Sequence, residues 1–163
     1  MEEKIKVVAV RPGKFPVLMD IENSLSALQE FVGGYVESIR LDEDTLLICN
    51  EEGKLKFLPL NRFVINNSGK ADIIAGNFIL LRARVFDEGF SSLSEDQAQK
   101  FLQEFWHPEI FVGNEESLEN LLQETNGLFA VHRSFNIYEG GEETQIFVLR
   151  SLVEFKLERR DLS

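Results

Sequence analysis

The chain holds one cysteine, one tryptophan, two tyrosines, two histidines and four prolines in 163 residues. Cys49 alone excludes an intrachain disulfide and a thiolate metal cage. Its apolar neighbours in Leu-Leu-Ile-Cys (46–49) mark a buried strand thiol rather than a reactive nucleophile. His107 and His132 have no acidic spacing motif beside them, so no zinc site is expected. His107 follows Trp106 at the end of a predicted helix, where an imidazole also interacts favourably with the helix C-terminus. P-loop, G-x-G-x-x-G and nucleophile-turn signatures are missing as well. The reading is a non-enzymatic protein, with no catalytic residue, no metal ligand and no cofactor.

Long apolar runs are also missing. Ile79-Leu80-Leu81 is soon broken by charge, far short of the roughly 20 apolar residues of a spanning helix. The start, Met-Glu-Glu-Lys, is acidic and runs into strand-like sequence, unlike a signal peptide with its basic start and apolar core. A cytoplasmic protein with no membrane partner is expected. There is no internal repeat, Pro-rich linker or low-complexity tract.

What is present is apolar material and acid. Fourteen phenylalanines and 44% hydrophobic residues are enough to form a core. The formal net charge of −11 argues against direct nucleic-acid binding, which needs a basic face. That charge is uneven: residues 51–90 carry 6 cationic and 5 acidic side chains, residues 91–163 carry 6 and 14. A local cationic pocket is therefore compatible with the middle of the chain.

Hydrophobic spacing predicts an α+β fold, mostly antiparallel sheet with two or three short helices and a C-terminal β-hairpin. Ile5–Val10 and Val17–Ile21 read as strands around the turn Arg11-Pro12-Gly13. Asn23 or Ser24 caps a short helix that stops at Gly33-Gly34. Residues 35–41 and 45–49 form a hairpin, Pro59 argues against a regular central strand through 58–62, and 71–85 contains a long apolar strand around Phe78-Ile79-Leu80-Leu81. Ser94-Glu95-Asp96-Gln97 opens the clearest helix. An acidic helix at 117–124 and two strands around Gly140-Gly141 close the chain. The acidic shift near Gly113 suggests a core domain, 1–112, and an extension, 113–163, of acidic helix plus β-hairpin. The apolar residues of that hairpin require it to pack on the core or on another copy of the chain, the second making a homo-oligomer.

Several segments occur in a distinctive order: Arg-Pro-Gly-Lys (11–14), Gly-Gly-Tyr-Val-Glu (33–37), Cys-Asn-Glu-Glu-Gly-Lys (49–54), Leu-Pro-Leu-Asn-Arg (58–62), Asp-Ile-Ile-Ala-Gly-Asn-Phe (72–78), then Phe-Ser-Ser-Leu-Ser-Glu-Asp-Gln (90–97) and Pro-Glu-Ile-Phe (108–111). Over residues 7–111 this order resembles the DUF3846-type domain of unknown function found in phages and mobile elements. The resemblance implies a small cytoplasmic accessory protein of such an element, and it carries over no activity and no catalytic residue.

The candidate ligand-binding residues are Glu37, Asn50, Glu51, Lys54, Asn61 and Arg62, polar groups on turns flanking apolar strands. Arg62 can fork onto a phosphate or carboxylate, and Asn50 and Asn61 can read an amide or base edge. Glu37, Lys54, Asn61 and Arg62 are expected on one contiguous surface. The alternative is structural: both asparagines bond their own turns and Arg62 pairs with Glu37 or Asp72. The leading functional expectation is an accessory protein that binds a host protein or a signalling nucleotide and counters antiviral defence. One alternative is an acidic nucleic-acid mimic that inhibits a DNA-binding enzyme. The other is a hydrolase built around Glu37, Asn61 and Arg62.

Overall fold

Alternation of side chains in the first strand sets the plan of the fold. In β1 (Lys4–Val10), Ile5 and Val7 face one side and Val8 and Val10 the other, and all four are buried, because successive strand side chains leave on opposite faces. A computed structural model describes residues 3–84 and 89–151. The chain divides into two compact units, Met1–Trp106 and His107–Ser163.

In the first unit, β2 (Val17–Glu22) returns antiparallel to β1 after the expected turn. Ser24 accepts the Ala27 N–H and caps α1 (Leu25–Val32), which ends on the left-handed Gly33. The strands β3 (Val36–Arg40) and β4 (Thr45–Asn50) form the expected hairpin. Next come β5 (Leu60–Ile65) and β6 (Ala71–Ala75), paired with each other in a separate two-stranded sheet. β7 (Phe78–Ala83) and the short β8 (Phe90–Ser91) follow. α2 (Glu95–Glu104) opens with a full capping box between Ser94 and Gln97. The main sheet runs in the order β2-β1-β7-β4-β3, with β8 also on β7.

Both faces of this sheet are covered. On one, Leu28 and Val32 of α1 pack with Ile5, Val7, Ile48, Ile79 and Leu81. On the other, Ala98, Phe101 and Phe105 meet Val8, Val10, Leu47, Cys49, Phe78 and Leu80, joined by Val64 of β5 and Ile74 of β6. Two covered faces explain why β1, β4 and β7 are nearly continuous apolar runs instead of alternating ones.

The apolar strand expected around Phe78–Leu81 is β7, and the residues that lead into it form a second strand, β6, in a different sheet. The break is local: Gly76 takes φ 84° and donates its N–H to the Pro59 carbonyl at 2.7 Å, while Asn77 Nδ2 donates to Phe31 O at 3.1 Å. Glycine adopts that left-handed backbone at no steric cost. Val85 lies outside the described residues. Pro59 has the expected effect, since β5 begins only after it and its register breaks between Leu60 and Arg62.

The second unit contains β9 (Glu109–Val112), α3 (Glu115–Glu124), β10 (Phe129–Glu139) and β11 (Glu142–Ser151). Asn114 caps α3, so the acidic helix starts earlier than 117. The hairpin turn is Gly140-Gly141, both at positive φ, as expected. β11 also pairs with β9, giving the order β10-β11-β9. That pairing groups 109–112 with the C-terminal unit, whereas the acidic shift near Gly113 falls one strand later. Leu152, Val153, Phe155 and Leu157, expected in the second hairpin strand, lie outside the described residues. Every strand pair among the described residues is antiparallel, and three helices accompany them. The architecture is α+β, as the sequence predicts.

Candidate functional site

Glu37 stands opposite Cys49 across the β3–β4 pair, so both project on the face that carries β5 and β6. There the edge of the sheet, the loop after β4 and strand β6 enclose a hollow of about 110 Å³. Glu37, Asn50, Glu51, Glu52, Lys54 and Asp72 supply its polar lining, and Ile39, Cys49, Leu55 and Ile73–Ala75 its apolar one.

The loop from 51 to 58 holds its shape through its own hydrogen bonds. Asn50 is buried, its Oδ1 accepting the Glu52 N–H at 2.8 Å and its Nδ2 donating to the Val32 carbonyl at 3.1 Å. Gly53 N–H donates to Asn50 O, Lys56 to Glu52, Phe57 to Lys54 and Leu58 to Gly53. Gly53 sits against β6 so closely that an added Cβ would lie 2.6 Å from the Ala75 carbonyl oxygen. Only glycine permits that approach. Phe57 takes φ 55°, a left-handed conformation uncommon for a bulky residue, and the residue is 92% exposed.

The electrostatics of the hollow are acidic. Four carboxylates face one lysine, and Lys54 Nζ is already bonded to Asp72 Oδ1. Asp72 Oδ1 also accepts the Ile73 N–H at 2.8 Å, and Glu52 pairs with Lys56 at 4.0 Å. Burial first, then the charges of Glu37 and Asp72, push the Cys49 thiol up to about 12, with Lys54 pulling the other way. The thiol is therefore protonated at neutral pH.

Of the six expected ligand-binding residues, Glu37, Asn50, Glu51 and Lys54 meet at this hollow. Asn61 and Arg62 do not, and the expectation of one surface shared by Glu37, Lys54, Asn61 and Arg62 is corrected: Asn61 is 0% and Arg62 1% exposed. Arg62 lies opposite Ile74 and two residues from Val64, both core residues, so strand alternation turns it inward. Its Nε and Nη2 donate to the Phe105 carbonyl at the end of α2, Nη2 to Lys14 O at 2.7 Å and Nη1 to Asn61 Oδ1 at 2.9 Å. Asn61 Nδ2 in turn donates to Val10 O at 3.0 Å and Gly76 O at 2.9 Å. These two residues tie β5 to β1, to the turn before β7 and to α2. The partner of Asp72 is Lys54, not Arg62.

Sequence reasoning missed Glu52, Leu55 and Asp72 as parts of this site, and Tyr35 and Phe57 beside it. The legible clue was Leu55-Lys56-Phe57, two large apolar residues inside a short segment bounded by Gly53 and Pro59. Among the described residues no group of His, Cys, Asp and Glu side chains is arranged to hold a metal ion. No described helix is long and apolar enough to cross a membrane.

No curated protein and no solved structure matches the chain. The family model described as "Domain of unknown function (DUF3846)" matches residues 5–106, coinciding closely with the first compact unit. The chain belongs to the DUF3846 family.

Proposed function

We propose that this protein is a non-enzymatic accessory protein of a phage or mobile element that acts in the host cytoplasm by holding a host protein, and that it counters antiviral defence. The sequence expectation left a host protein and a signalling nucleotide open. The charge and size of the hollow support the protein. A nucleotide phosphate needs N–H donors and positive charge, whereas the lining offers Glu37, Glu51, Glu52 and Asp72 against a lysine already bonded to Asp72. Its 110 Å³ is below the roughly 300 Å³ at which small-molecule pockets begin. Arg62, the residue best suited to fork onto a phosphate, is buried against backbone carbonyls. A cationic side chain of a partner protein fits both the charge and the volume.

The test has two arms. Thermal unfolding of the purified chain should be unmoved by millimolar linear or cyclic nucleotides, and a raised midpoint with any of them restores the nucleotide reading. Expression of the chain in bacteria carrying antiviral systems should raise the plating efficiency of a restricted phage, with a defence protein retained on the tagged chain. Unchanged plating across such hosts defeats the anti-defence role. Retention of a DNA-binding enzyme that duplex DNA displaces favours the nucleic-acid mimic instead.

A further inference from the structure

We infer that the loop 51–58 is the contact surface of this protein and that its partner presents a lysine or arginine flanked by apolar side chains. The cation seats in the acidic hollow and the apolar groups rest on Leu55 and Phe57. This rests on the reading of the chain as a protein binder and specifies what it binds.

Large apolar side chains are concentrated in solvent here. Leu55 is 79%, Phe57 92% and Tyr35 69% exposed, and Leu60 is exposed beyond the loop. Phe57 is the only phenylalanine among the described residues to stand so open, although phenylalanine belongs to the residues most often buried. Leu55 itself lines the hollow, Phe57 N–H is bonded to Lys54 O, and Tyr35 O accepts the N–H of Glu51. The backbone that carries these exposed apolar side chains thus borders the acidic hollow. A clustered apolar patch with a polar rim marks an interaction site.

The chemistry of the occupant follows from the rim. Glu37, Glu51 and Glu52 are exposed and Asp72 is half-buried. Lys54 already pairs with Asp72 and Lys56 with Glu52, so Glu37 and Glu51 are the carboxylates from which a docked anionic or purely apolar partner would strip water and return nothing. A basic side chain compensates them, and aromatic and arginine anchors are the pairs that dominate binding energy at interfaces. The loop is already ordered by the Asn50 bonds and by the seat of Gly53 on Ala75. Docking therefore carries little ordering cost.

A library of random peptides displayed on phage particles, panned against the full chain and counter-selected on the Leu55→Ser/Phe57→Ser variant, tests this directly. Enriched sequences should carry Lys or Arg beside Leu, Ile or Phe. A synthetic peptide of the enriched sequence should lose about ten-fold or more in affinity on Leu55→Ser/Phe57→Ser and on Glu37→Gln/Glu51→Gln, and should bind more weakly as salt rises. Both variants change exposed side chains, so their unfolding midpoints should match the parent chain. The inference is overturned by absence of enrichment over the variant, by enriched peptides without basic residues, or by affinity retained in both variants. Because purified chain and peptide suffice, this outcome is independent of phage plating. The surface can be wrong while a host protein is still captured, and right while the anti-defence role fails.

Discussion

The Nη2 of Arg62 lies 2.9 Å from the carbonyl oxygen of Phe105, the residue that closes helix α2. A buried guanidinium thereby sits at the negative end of a helix, where cations are favoured, and also donates to Lys14 O and Asn61 Oδ1. Arg62 is a joint of the core and not a ligand-binding residue.

Replacing that joint should be costly for stability and indifferent for surface chemistry. Arg62→Met leaves the Phe105 and Lys14 carbonyls short of donors and should lower unfolding free energy by about 2–4 kcal/mol in urea titration. Arg62→Lys should recover only part, because a single ammonium nitrogen cannot replace the three guanidinium nitrogens that reach Phe105 O, Lys14 O and Asn61 Oδ1 from different directions. A loss under about 0.5 kcal/mol, the level of an ordinary surface substitution, would remove Arg62 from this role.

Gly53 offers a test of how tightly the loop is seated. The Cβ of Gly53→Ala would come within 2.6 Å of the Ala75 carbonyl oxygen, a backbone atom that cannot step aside cheaply. The expected cost is about 1–3 kcal/mol in unfolding free energy, together with faster amide exchange at residues 54–58. Unchanged exchange and stability would mean that the loop does not rest on β6 in this way.

Cys49 should resist thiol reagents in the folded chain at pH 8 and react only on unfolding, since burial, Glu37 and Asp72 hold its pKa near 12. The sign of the linkage follows. A folded pKa raised above the unfolded value of 9.0 gives a contribution that is complete below pH 9 and is lost as pH rises toward 12. Cys49→Ala should therefore show a shallower alkaline decline than the parent chain. Rapid labelling of native protein at pH 8 would contradict the burial.

His132 should behave in the opposite sense. Partial desolvation, then the charges of Arg150, Arg133 and His107, lower its pKa below the ordinary 6.5. The unfolded chain takes up that proton first on acidification, so the contribution is present above pH 6.5 and is lost as pH falls through the folded value. A proton NMR titration of the imidazole should place its midpoint below 6.5, and a midpoint above it would reverse the argument.

Local chemistry made much of the fold legible. Ser94 and Gln97 announce their capping box because both partners lie within one turn, and Gly140-Gly141 announces its hairpin because two adjacent residues must take positive φ. The break at Gly76-Asn77 was not legible, since the bonds that fix it reach to Pro59 and Phe31. Four of the six expected ligand-binding residues fall at the hollow because Asn50, Glu51 and Lys54 follow one another from the end of β4 into its loop, and Glu37 stands beside them on β3, opposite Cys49.

The sequence alone determined the α+β class, the helix caps, the hairpins, the inert cysteine and the acidic balance, all of which depend on neighbours a few residues apart. Only the tertiary structure decided that Asn61 and Arg62 face inward. Strand alternation and a register break at β5 set their direction, and the carbonyls that satisfy them come from β1, α2 and the turns at Lys14 and Gly76. It also decided that Asp72 closes the acidic hollow and that Phe57 stands in solvent. Both depend on how β6 and the loop after β4 pack together, a long-range contact that no local pattern encodes.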